Sequence, residues 1–267
     1  MFCIFHVSDG TGITAETLGR ALISQYPGIE ARRVTLPFVR DPATARATVA
    51  RIQREAADSG CHPVILATLL DEDIRAVFRE AGLPLLDFFE HFAGPARELF
   101  GEGAAAEVGR SHGVSDAASY DRRIRAVDYA LGHDDGVSTT SYDDADVILA
   151  GVSRAGKTPT CLYLALQHGL RAANYPFTDD DLESDRLPAV LRDNRDRVFG
   201  LTIEARRLAA IREERRPGSR YASVGQCRQE VRQVESLFRR ERIPCVDVTP
   251  MSVEEIAASV RAHLQPG

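Results

Sequence analysis

The stretch "DVILAGVSRAGKTPTCLYLAL", Asp146 to Leu166, decides the reading of this 267-residue chain. An apolar run, Val147 to Ala150, enters a loop that matches Gly-x-x-x-x-Gly-Lys-[Ser/Thr] at every specified position: Gly151, Val152, Ser153, Arg154, Ala155, Gly156, Lys157 and Thr158. Residues after it keep helical spacing through Leu166, and Pro159 falls in the first turn, where its missing N–H costs nothing. Strand, glycine loop and helix are the context a phosphate-binding loop needs. Backbone N–H groups and the helix N-terminus surround the phosphates, Lys157 neutralises the β- or transferring phosphate, and the Thr158 hydroxyl can hold Mg²⁺. A Gly-rich turn at an ordinary helix start is the competing meaning, but it leaves the lysine unexplained. Of 33 basic residues, 32 are Arg, and the remaining one is Lys157. A compact ammonium on a flexible stem is what the position demands and a planar guanidinium does not supply it.

Outward from this loop the same alternation continues. The first half predicts strands Phe2–Val7, Arg33–Phe38, Pro63–Leu69 and Pro84–Phe89. Helices are expected at Thr14–Ser24, Ala43–Asp58 with Val49 and Ile52 on one face, Asp71–Glu80, Pro95–Phe100 and Tyr120–Leu131. The second half predicts strands Val147–Ala150, Ala172–Phe177, Val198–Ile203 and Pro244–Val248, and a last helix opened by a capping box at Ser252 to Glu255. Alternation of strand and helix gives parallel sheets with helices on their faces, so the fold class is α/β. Residues 101–119, rich in Gly, Ala and Ser, read as an extended surface segment, and "GHDDGVSTTSYDDAD" separates two periodic regions. A boundary near residue 140 follows, with an N-terminal parallel-sheet α/β domain over 1–140 and a P-loop kinase-like α/β domain over 141–267. No internal repeat is evident.

Composition narrows the function classes. No run of 18 apolar residues occurs and "MFCIFHVSDG" lacks a basic leader, so neither a membrane span nor a signal peptide is expected. The net charge of −6 argues against a general polyanion binder such as a nucleic-acid protein, and any phosphate site must be local. Five scattered cysteines without a Cys-x-x-Cys spacing argue against disulfides and zinc, which makes a reducing cytoplasm the expected location. The seven histidines show no ligand spacing on one helix face.

Three further stretches carry candidate chemistry. Asp179-Asp180-Asp181 follows the strand expected beside the P-loop strand, so one carboxylate, Asp180, is the candidate general base; an acidic solvated loop is its plain alternative. "IREERRPGSRYAS", Ile211 to Ser223, sets Arg212, Arg215, Arg216 and Arg220 around a Pro-Gly turn, as expected of a lid closing cations over transferred phosphate, or of a charged surface helix. Ser8-Asp9-Gly10-Thr11-Gly12 is a lesser phosphate cradle, and Asp9 is a rival base.

With "HVSDGTGITAETLG", "TLPFV", "GVSRAGKTPTCLYLA", "GLRAANYPF", "FGLTI", "LAAIREERRPGSRYAS" and "SVEEIA" in order, the chain resembles the family of bacterial phosphoenolpyruvate synthase regulatory proteins, over about residues 4 to 260. That family is similar to the pyruvate, phosphate dikinase regulatory proteins. The resemblance implies a bifunctional enzyme. An ADP-dependent kinase phosphorylates a target threonine, and a phosphate-dependent pyrophosphorylase removes the phosphate. It implies that residues 151–158 bind ADP and that the partner is phosphoenolpyruvate synthase; the residues themselves predict Mg²⁺ on Thr158 and a part in the transfer for Lys157, Asp180, Arg216 and Arg220. "GITAETLG" and "REERRPGSRYAS" look closer to the synthase branch than to the dikinase branch. A homo-oligomer is compatible with the sequence. A small-molecule P-loop kinase with Asp180 on a metabolite hydroxyl, and a nucleotide sensor that transfers nothing, are the readings from other classes.

Overall fold

The computed structural model describes residues 1–101, 117–134, 142–184 and 186–264. The chain divides into two compact units, Met1–Ser115 and Asp116–Gly267, each built on its own four-stranded parallel sheet.

The first unit runs β1 (Phe2–Ser8), α1 (Ile13–Ile23), β2 (Ala31–Leu36), α2 (Pro42–Ser59), β3 (His62–Thr68), α3 (Glu72–Glu80), β4 (Leu85–Asp87) and α4 (Phe88–Phe100). Its sheet order is β2-β1-β3-β4. Phe5, Val7, Ile65 and Ala67 form one buried face, against which α2 lays Ala45, Val49, Ile52 and Ala56 and α3 lays Ile74 and Phe78. Each fully buried Val, Ile or Phe is worth about 1.5–3 kcal/mol relative to exposure. Asp41 starts α2 as its sequence suggests, accepting from the Thr44 N–H at 2.8 Å, a cap worth about 1 kcal/mol.

Two expectations change here. The strand near residue 85 stops at Asp87, because the Asp87 carboxylate accepts from the Glu90 N–H and opens α4, so Phe88 and Phe89 are helical and Pro95 lies inside that helix. Cys3 and Cys61 are joined in a disulfide, against the expectation of unpaired cysteines. They are 58 positions apart, but the β1–β3 pairing sets Phe2 opposite His62 and brings their Cα atoms to 5.7 Å. No spacing rule shows that neighbourhood. Cys161 and Cys227 are free and buried, and Cys245 is free and exposed.

The second unit runs α5 (Ala117–Gly132), β5 (Val147–Gly151), α6 (Lys157–His168), β6 (Ala172–Pro176), α7 (Asp179–Glu183), α8 (Ala189–Asp193), β7 (Val198–Thr202), α9 (Ala205–Arg215), α10 (Val224–Glu241), β8 (Cys245–Asp247) and α11 (Val253–Leu264). Its sheet order is β6-β5-β7-β8, with β5 buried throughout. The expected break at residue 140 falls after α5, yet Ala126 and Ala130 of α5 are buried in this unit's core, so the division lies earlier. Of the Gly-rich stretch 101–119, residues 102–116 lie outside the described residues and 117–119 already belong to α5. The capping box at Ser252 forms with both of its hydrogen bonds.

Both units share one connectivity, which no sequence repeat announces. The first strand sends its helix to a neighbour on one side, and the third strand returns on the other. The helix after each first strand is entered through a left-handed glycine, Gly12 at φ 84° and Gly156 at φ 81°, a conformation glycine adopts without steric penalty. Ligands in such sheets bind beyond the carboxyl ends of the strands where the direction of winding reverses, which in the second unit is between β5 and β7.

Candidate active site

The loop Gly151–Thr158 occupies that reversal point. Gly151 ends β5 with Pro176 opposite on one side and Leu201 on the other. A Cβ at Gly151 would collide with the Leu201 carbonyl oxygen, so the first glycine of the motif is demanded by the neighbouring strand's backbone. Arg154 follows at φ 76°, a left-handed conformation that strains an L-residue by about 1–3 kcal/mol. Gly156 then caps α6 without a side-chain hydrogen bond.

Lys157 is buried, and its Nζ donates to the Val152 carbonyl at 2.8 Å, curling the ammonium back across the loop. The Thr158 hydroxyl donates to Asp134 Oδ1 at 2.7 Å. Asn174 on β6 donates from Nδ2 to the same carboxylate oxygen at 2.6 Å and to Thr158 Oγ1 at 3.0 Å. Asp134 and Asn174 were invisible in the sequence as site residues. Asp134 is one acid in an acid-rich stretch, and only the packing of α5 on α6 brings it to Thr158. Mg²⁺ is usually held by one or two protein oxygens together with substrate phosphates, and the Thr158–Asp134 pair fits that donor set. Among the described residues no group of three or more His, Cys, Asp or Glu could hold a metal without such help.

A cavity of about 370 Å³ opens over the loop. Lys157 and Thr158 lie at one end; Ile203, Val248, Met251 and Ile256 supply an apolar wall suited to a purine ring; and Arg207 and Arg215, eight residues apart along α9, add charge. A second cavity of about 550 Å³ shares Ser153 with the first and is bounded by α7 and α10.

The Arg-rich run divides by role. Arg212 is fully buried and paired with Glu230 at 2.7 Å, and it also donates to the Ser153 carbonyl at 3.1 Å. Burial opposes its charge, and the Glu230 carboxylate outweighs burial, holding the guanidinium above its ordinary range. Arg212 is therefore a pillar under the loop and no part of a moving lid. Arg215 lines the first cavity and Arg220 the second, while Arg216 is exposed at the end of α9 and lines neither.

The acidic triplet is the first part of α7. Asp181 is committed to structure, accepting from the Thr178 N–H at 2.9 Å and from the Tyr175 hydroxyl at 3.1 Å. Asp180 is exposed and lines neither cavity, whereas Asp179 lines the second. Asp9 belongs to the first unit, where it is buried and accepts from the Leu70 N–H at 2.8 Å; burial pushes its carboxyl above the usual carboxylate range.

A nucleotide-sized cavity on a phosphate loop, with a Thr–Asp pair fit for Mg²⁺, describes a phosphotransferase centre. Comparison with known proteins agrees. The family model described as Kinase/pyrophosphorylase matches residues 4–260. A Legionella pneumophila (strain Corby) protein named "Putative phosphoenolpyruvate synthase regulatory protein" is 49% identical over 259 residues, covering 97% of this chain and 96% of the relative. Proteins of the same name from Marinobacter nauticus and Stutzerimonas stutzeri are 48% and 49% identical over 256 residues, each covering 96% of this chain and 94% of the relative. Loop, cavity and near full-length likeness converge on one assignment: the chain belongs to the kinase/pyrophosphorylase family.

Proposed function

We propose that the chain is an ADP-dependent protein threonine kinase and a phosphate-dependent phosphothreonine pyrophosphorylase acting on phosphoenolpyruvate synthase in the cytoplasm. The observation that carries the nucleotide half is the cavity over Ser153 to Thr158, with the only lysine of the chain at its phosphate end. The choice of ADP, threonine and the synthase rests on the family resemblance and on the names of the relatives.

In the kinase direction the threonine oxygen attacks the β-phosphorus of ADP, the bond from that phosphorus to the bridging oxygen breaks, AMP leaves, and the hydroxyl proton passes to a carboxylate. In the reverse direction an oxygen of inorganic phosphate attacks the phosphothreonine phosphorus, giving pyrophosphate and free threonine. Both are in-line transfers whose catalysis is largely positioning and charge stabilisation. Lys157 supplies a point charge at the β-phosphate, while Arg215 from α9 supplies a second cation. Bound Mg²⁺ supplies further neutralisation, and Thr158 with Asp134 would hold it.

The test is incubation with phosphoenolpyruvate synthase and ADP labelled in the β-phosphate. Label on a synthase threonine from ADP and not from ATP, released as pyrophosphate on adding inorganic phosphate, is the expected result. Turnover of ATP without a protein acceptor would replace this reading with a metabolite kinase, and label on pyruvate, phosphate dikinase alone would move the target.

A further inference from the structure

Two cavities meet at Ser153 of the loop. The first is walled by residues that follow β7 and β8; the second is walled on one side by Phe177, Thr178 and Asp179, which follow β6, and on the other by α10, which follows β7. In the sheet β5 stands between β6 and β7, and of the two cavities only the second reaches the residues on the β6 side of the loop. In-line transfer needs donor and acceptor on opposite sides of the moving phosphorus. With the nucleotide in the first cavity, the acceptor side is the second, which alone reaches the residues after β6.

We propose that this second cavity receives the threonine-bearing segment of the protein substrate in extended form, and that Asp179, not Asp180, is the carboxylate facing its hydroxyl. The assignment rests on the functional reading above and names its acceptor site.

The chemistry of the walls identifies the occupant. Gln226, Gln229 and Gln233 of α10 line the cavity at spacings of three and four, which places them along one helix face. Each carboxamide carries both donors and an acceptor, the complement of the N–H and C=O groups of an extended main chain. Gln226 is already oriented, donating from Nε2 to Glu230 Oε1 at 3.0 Å, which leaves its carbonyl oxygen for a ligand. Three carboxamides spread along two turns of helix suit the length of an extended main chain better than a compact metabolite. Two cations line this cavity: Arg212 is paired with Glu230, and Arg220 is left to meet oxygens of a phosphorylated threonine in the reverse direction.

Of the four acids on α7, Asp181 is held by Tyr175 and the Thr178 cap, Asp180 lines neither cavity, and Glu183 lines the acceptor cavity one helical turn further than Asp179 from the end of β6. Asp179 lines the acceptor cavity together with Ser153 and Arg220. In the step assigned to it, the acceptor oxygen bonds to the β-phosphorus of ADP as AMP departs, and Asp179 takes the hydroxyl proton.

The experiment compares the unmodified full chain with Asp179→Asn, Asp180→Asn and the double variant Gln229→Ala/Gln233→Ala, using phosphoenolpyruvate synthase and β-labelled ADP, with ADP affinity read by calorimetry. Asp179→Asn should bind ADP and melt as the unmodified chain does, yet lose transfer by about two to four orders of magnitude. The double glutamine variant should raise KM for the synthase about tenfold, as expected for two lost main-chain contacts, with a smaller effect on kcat. Full transfer by Asp179→Asn, loss confined to Asp180→Asn, or an unchanged KM in the glutamine variant would overturn the acceptor assignment while leaving the functional reading intact. No transfer by the unmodified chain would overturn both.

Discussion

The Tyr221 hydroxyl donates to Ser153 Oγ across 3.0 Å, so the connection between α9 and α10 is fastened to the phosphate loop itself. The Tyr221 ring also lies 4.0 Å from the Arg212 guanidinium, which in turn holds the Ser153 carbonyl. Tyr221→Phe keeps the ring contact and removes the latch. A net hydrogen bond is worth about 1 kcal/mol, so ADP should dissociate roughly fivefold faster, as read by stopped-flow displacement. An unchanged dissociation rate would show that the latch does not restrain the segment.

Arg212 and Glu230 form the pair beneath that latch. Arg212→Leu leaves Glu230 buried without its partner, and the expected loss is about 3–5 kcal/mol in urea unfolding. Arg212→Leu/Glu230→Leu should recover part of it, because no uncompensated charge remains. A single variant that loses less than about 1 kcal/mol would mean Glu230 finds water or another cation.

Lys157 is buried with its ammonium on the Val152 carbonyl, so its replacement removes a loop strut as well as the proposed phosphate ligand. Lys157→Ala should lower phosphoryl transfer by at least 10²–10³-fold, the scale of one lost donor to developing charge. Lys157→Arg should fail too, since a planar fork does not fit a site shaped for a compact ammonium. Near-normal ADP-dependent transfer by Lys157→Ala would sink the phosphate-loop assignment.

Asp134 accepts from both Thr158 and Asn174. Asp134→Ala strands two donors beside the expected metal position, and the Mg²⁺ concentration needed for half-maximal ADP binding should rise about 10- to 100-fold, as when a partner of a metal ligand is lost. Calorimetric Mg²⁺ titrations at fixed ADP measure this, and an unchanged midpoint would remove Asp134 from the metal site.

His6 gives the first unit an acid limit. It is fully buried under Gly19, and among the described residues neither ring nitrogen has a hydrogen-bond partner. Burial lowers its imidazole below the ordinary range; Glu16 opposes the shift, and Arg33 and Arg20 add to it. Between that lowered value and the usual one near 6.5, the unfolded chain binds a proton that the folded chain does not, so stability is lost as pH falls through this window. His6→Leu should flatten the fall that thermal melts show as pH drops below the ordinary imidazole value of 6.5. An equally steep fall in the variant would assign it to other groups.

The sequence was most legible where one local pattern decides the structure. Val147–Ala150 is an apolar run that could only be a buried strand, and Gly151 to Thr158 carries its own spacing. It was less legible where a distant partner decides. Tyr120 to Leu131 reads as a helix, but only its packing shows that it belongs with α6 and β6. Arg212 and Arg215 look alike in a run of arginines, and three residues of helix rotation send one into the core and the other to the cavity over the loop. Asp179, Asp180 and Asp181 are equivalent in sequence, and the Thr178 cap distinguishes them. The shared strand order of the two units leaves no sequence trace, because parallel sheets demand apolar strands without fixing which ones.

A chain of 267 residues with one lysine side chain has a single internal target for amine-directed acylation. That target is shielded inside the loop, its lone pair tied up by a proton engaged with Val152. Any acyl group placed there would erase the charge at the proposed phosphate position, so under the proposed function one modification should silence the centre. The mass gained under a limiting acylating reagent therefore becomes a clock for how often the loop exposes its lysine, with bound nucleotide slowing it.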